Sequence, residues 1–132
     1  MNRLTVVPTT PEEIAESLHD VSAWTIESGL ETIKQMIAES YCFRVLDQEG
    51  HQRAVYALRA QQLPQGVVAW LIAGQGKLPE GDLTKILLPE IEKQADGADY
   101  FAIQTRRPGL MKKLASQGYT LAGAIMVKRL ES

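Results

Sequence analysis

The sequence holds one cysteine, two histidines, two tryptophans and two phenylalanines in 132 residues, and each scarcity removes a class of protein. A lone Cys42 excludes an internal disulfide and any cysteine-based metal cluster. Flanked by Tyr41 and Phe43, it reads as a small strand residue. His19 and His51 stand far apart in the chain, neither has a second histidine at ligand spacing, and no metal site is expected. No apolar stretch approaches the roughly 20 residues that a membrane-spanning helix needs, so membrane insertion is not expected. Neither sign of charge is in excess: 14 Lys and Arg stand against 16 Asp and Glu, for a net charge of -2. That balance gives no general attraction to nucleic acid. Asn2, Arg3 and a short Leu4 to Val7 run lack the apolar core and cleavage site of a signal peptide, and the expected location is the cytoplasm.

What is present is ordinary in amount and informative in order. A 45% hydrophobic, 23% charged chain of this length predicts one domain, residues 1–132, with a core of its own. Leu4 to Val7 reads as a short strand that Pro8 ends. Thr10 at N-cap, Pro11 at N1 and Glu13 at N3 then form a capping box. Ile14, Leu18 and Val21 recur at helical spacing up to the stop at Ser28 and Gly29. Glu31 to Glu39, with Ile33, Met36 and Ile37 on one face, reads as a second helix.

Three strands are expected next: Tyr41 to Leu46, Arg53 to Leu58 after an Asp47 to Gly50 turn, and Val67 to Ala73 after a turn through Pro64, Gln65 and Gly66. Together they form an antiparallel meander. Val67 to Ala73 is apolar throughout, as a strand buried on both faces would be, with Trp70 a core aromatic. Gly74 to Gly81 reads as a flexible loop, Asp82 as the N-cap of a helix to Gln94, and Pro89 as a kink or break within it. Asp99 to Thr105 is the next strand, Pro108 opens a helix reaching Ser116 to Gly118, and Tyr119 to Leu130 reads as one long strand bent at Gly123. The fold class is therefore α/β: a meander joined to a central parallel strand pair by a crossover helix, with further helices flanking the sheet. Such an open sheet has a ligand crevice beyond the carboxyl ends of its parallel strands.

Most chemistry-bearing residues have a plain structural reading beside a functional one. His51 follows a turn glycine, where a histidine is ordinarily solvated. Arg106, Arg107, Lys112 and Lys113 could bind an anion or nucleic acid, but helical spacing splits them between faces. Glu12, Glu13 and Glu16 complement the dipole at a helix start. Gly74, Gly76 and Lys77 offer a permissive, weakly cationic backbone ahead of a helix N-terminus, itself anion-seeking. Against that, Glu80 and Asp82 put carboxylates where a phosphate would lie.

The order of elements resembles the GNAT acyltransferase superfamily over nearly the whole chain. Thr105 to Tyr119, with Met126, Val127, Lys128, Arg129 and Leu130, resembles the arginine-then-glycine helix, glycine-aromatic step and lysine-rich end of short GNAT-like proteins encoded by tailed bacteriophages. The resemblance implies acetyl-CoA as cofactor, with Ile72, Ala73, Gly74, Gly76 and Lys77 holding it. Two departures weigh against activity. The superfamily's pyrophosphate motif does not fit Gly74 to Asp82 in register, and the tyrosine expected four residues before the glycine-aromatic step is Leu114. Tyr119 and His51 are left as the candidate proton carriers.

The expectation is a GNAT-like phage-type protein with weak or absent acetyl transfer, working as an accessory or virion-associated protein with a phage or host protein as partner. The alternative is an active acetyl-CoA-dependent N-acetyltransferase for a small or protein amine. A nucleic-acid accessory using the Arg106 to Lys113 cations is a third.

Overall fold

The computed structural model describes residues 4–15, 17–18, 37–76, 82–103, 108–123, 128 and 130. Five strands form one sheet in the order β1-β2-β3-β4-β5, with β1 Thr5–Thr9, β2 Tyr41–Leu46, β3 Gln52–Leu63, β4 Gly66–Gly76 and β5 Tyr100–Ile103. Three helices accompany it: α1 Pro11–Ala15, α2 Leu83–Gln94 and α3 Pro108–Ser116. The first four strands are antiparallel neighbours, and β4 pairs β5 in parallel across α2. The expected meander and crossover are both present.

The local rules explain most boundaries. Thr10 caps α1 through its side-chain oxygen, which accepts from the Glu13 N–H at 3.3 Å, while the Glu13 carboxylate accepts from the Thr9 hydroxyl. Asp82 caps α2, and Gly97 and Gly118 take the positive φ that lets the chain leave α2 and α3.

Several expectations are corrected. Pro8 does not end β1. It pairs with Phe43, because β1 is an edge strand and a proline's missing donor costs nothing on the outer side. The polar residues Arg59 to Leu63 continue β3 beyond Leu58, zipped to Gly66 through Trp70 by a two-residue turn of Pro64 and Gln65. Helix α2 runs unbroken through Pro89. Gly74 to Gly76 belong to strand β4 and pair with Tyr56, Val55 and Ala54, so the expected loop starts later. Tyr119 to Gly123 are not strand, and residues 124–127 lie outside the described residues. So do most of the second expected helix and all of the first beyond Leu18; α1 itself ends at Ala15.

Each sheet face carries its own apolar cluster. Val55, Ala57, Cys42 and Ala73 meet Ile14, Leu18 and Ile37 on one face. Val45, Ala54, Tyr56 and Leu58 meet Leu87 and Ile91 of α2 on the other, with Phe43, Leu71 and Phe101 packed alongside. Ile14, Leu18, Ile37 and Val45 are wholly buried, each worth roughly 1.5–3 kcal/mol in removed apolar surface. Trp70 is only half-buried. Its indole N–H donates to the Gln61 side chain at 2.9 Å, which makes it a cross-strand polar partner instead of a core aromatic.

Two substitutions test this packing. A Cβ on Gly76 would stand 2.5 Å from Leu83 Cδ2 and 2.8 Å from the Arg53 carbonyl oxygen, so the first turn of α2 packs directly on glycine backbone. Gly76→Ala should cost about 1–3 kcal/mol, read as a lower urea midpoint with unchanged slope. The buried Tyr56 hydroxyl donates to Gln94, and burial, partly offset by that bond, pushes its pKa up to about 12. The stability from its neutral phenol is complete below the unfolded value of about 10 and is lost as pH climbs toward 12. Alkaline unfolding followed by tyrosinate absorbance should therefore lose this component in Tyr56→Phe.

Candidate functional site

The site is created by an extra residue. Leu71 pairs with Leu58 and Ala73 with Ala57, so Ile72 is a β-bulge in β4. A bulge reverses the alternation of a strand. Before it, Leu71 lies with the α2-side cluster; after it, Ile72 and Ala73 both turn to the α1 side. The backbone reverses too. Val67 exchanges hydrogen bonds with Asp99 on the β5 side, which assigns Ala69 and Leu71 to that side by alternation. Beyond the bulge, Ala73 faces its partner Ala57 in β3, so the peptide groups of Gly74 and Gly76 face the β5 side.

Among the described residues no strand pairs with them on that side. The parallel ladder begins at Val68 and Tyr100 and stops at Leu71 and Ile103, while β4 continues for five more residues. The two strands are held at the other end by Asp99, whose carboxylate accepts from Val67 N–H at 2.8 Å and whose own N–H donates to the Val67 carbonyl at 2.9 Å. Gly66, at φ 144°, leaves room for that carboxylate: a Cβ there would lie 2.5 Å from Asp99 Oδ2. The pair is tied at its amino end, and among the described residues its ladder reaches no further than Leu71 and Ile103.

The start of α2 lies beside Gly76, and two of its first-turn donors are engaged by Asp82. Thr84 N–H donates to Asp82 Oδ1 at 3.0 Å, and Lys113 of α3 brings its ammonium to 3.4 Å from Asp82 Oδ2. Partial burial works against the charge on Asp82. Lys113, with the backbone N–H groups of Lys85 and Thr84, outweighs it and holds the carboxyl below the usual range. A carboxylate thus sits where a helix N-terminus would otherwise receive an external anion, and the cation beside it is already paired. A phosphate does not fit these donors while Asp82 keeps its position.

The proposed proton carriers are placed differently. His51 is exposed in the β2–β3 turn, 3.5 Å from Glu49 and 3.6 Å from Asp47, at the Gly76 end of the sheet but on the far side of β3. Tyr119 packs edge-on against Phe101 at 6.4 Å and donates its hydroxyl to Glu92 Oε2 at 2.5 Å. Burial and the Glu92 carboxylate both raise its pKa, making it reluctant to release a proton. Glu92 lies in the last turns of α2, so Tyr119 serves the end of that helix farthest from Asp82. Leu114 is buried. Cys42 is buried as well, and burial followed by the charge of Glu12 pushes its thiol up, which leaves it inert. Lys77, Glu80, Arg106, Arg107 and His19 lie outside the described residues, and among the described residues no group of side chains could hold a metal ion. Neither the bulge nor the Lys113 partnership of Asp82 was anticipated from sequence. Only the apolar run continuing past Leu71 hints at the first.

No family model matches the chain, and no curated protein does. Solved structures do. A Pyrococcus furiosus protein assigned provisionally as an acetyl transferase superposes with a TM-score of 0.70 at 17% identity, covering 97% of this chain and 100% of its own. A GNAT family acetyltransferase of Staphylococcus aureus gives 0.60 at 10% identity over 96% and 98%. An aminoglycoside N-acetyltransferase in complex with CoA gives 0.61 at 10% identity over 100% and 97%. The chain has the GNAT fold, and no candidate helix is long and apolar enough among the described residues to cross a membrane.

If Tyr119 is a structural donor, Tyr119→Phe keeps the ring on Phe101 and strands the Glu92 carboxylate without its phenol. A loss of roughly 1 kcal/mol in urea unfolding is expected, and an unchanged midpoint would show the pair to be idle.

Proposed function

We propose that this GNAT-fold chain has weak or absent acetyl transfer and acts as an accessory protein through a protein partner. Asp82 is the observation that carries the reading. It supplies α2 with an internal anion, takes the Thr84 donor that a coenzyme phosphate would need, and ties up Lys113. Leu114, where the superfamily carries a tyrosine, supports the same reading, since a buried leucine transfers no proton. The likeness of Thr105 to Tyr119 and Met126 to Leu130 to short phage proteins favours a bacteriophage or virion-associated setting, with manufacture in the host cytoplasm and a phage or host protein as partner. The engagement of Lys113 weighs against the nucleic-acid reading, because a paired cation releases fewer counterions on binding.

An acetyl-CoA-dependent N-acetyltransferase for a small or protein amine is the second reading. It is favoured by the bulge at Ile72 and by the β4 residues that continue beyond the described parallel ladder, and by the CoA-bound neighbour of the same fold. Its coenzyme contacts would be main-chain groups of Ile72 and Ala73, then Gly74 and Gly76, with Lys77 toward the phosphates. Proximity would supply most of the acceleration.

Isothermal titration with acetyl-CoA separates the two. The unaltered chain should give no binding in the micromolar range, whereas Asp82→Ser, which retains a capping oxygen and removes the charge, should bind roughly fivefold to tenfold more tightly than the unaltered chain. Micromolar affinity in the unaltered protein overturns the first reading. A thiol-release assay over a panel of amines then tests the second: turnover that disappears in Lys77→Glu establishes the enzyme, and no turnover in either chain removes it.

A further inference from the structure

We draw no further inference here: the strongest candidate, the set of exposed apolar side chains made by Tyr100 on β5, the last strand of the sheet, and by Leu121 and Leu130 beyond α3, carries nothing because nothing in the structure shows what covers it.

Discussion

The extra residue at Ile72 governs everything built around β4. A strand without it would keep one set of side chains facing α2 and one set of peptide groups facing β5 along its whole length. With it, Ala73 joins the α1-side core, opposite Ala57, and Gly74 and Gly76 present backbone toward the β5 side, beyond the described parallel ladder. The cost of the bulge is local, because β3 still pairs β4 on both sides of it. Its effect is architectural.

The strand arrangement and the chemistry of the site have separate origins. Backbone pairing sets how β4 and β5 lie, and the fold as a whole agrees with solved acetyltransferases at 10–17% identity. Side chains determine what the site can hold. Here the helix start that borders it is neutralised from within by Asp82, and Asp82 in turn is balanced by Lys113 from a different helix. Of the two carboxylates expected where a phosphate would lie, Asp82 is paired with Lys113 and Glu80 lies outside the described residues.

Legibility in the sequence followed the range of the forces involved. Thr10, Asp82, Gly97 and Gly118 act within a few residues, and the elements they delimit were readable from local chemistry. Periodicity located the meander and the crossover. What could not be read was set by partners distant in the chain. Arg59 to Leu63 look like a loop until the apolar Val67 to Trp70 lie beside them, and Gly74 to Gly76 look flexible until β3 pairs alongside them. Pro8 is tolerated because β1 is an edge strand of the described sheet. Tyr119 looked available as a proton carrier because Glu92, twenty-seven residues earlier, gives no local sign of claiming it. The candidate site suffered most, since a bulge is a property of two strands and an ion pair between helices has no spacing rule.

The tie between Val67 and Asp99 also bears on the order in which the molecule assembles. The β3–β4 hairpin closes through a two-residue turn and can zip from it, whereas β5 reaches β4 only after the chain has closed a loop thirty-two residues long. Loop closure of that length is slower and entropically dearer than hairpin formation. Among the described strands β5 has the fewest paired positions, four, beside the Asp99 clasp. On this topology β5 is expected to dock late and to exchange its amide hydrogens through local opening, while the β2–β3–β4 meander keeps its protection until the whole domain unfolds.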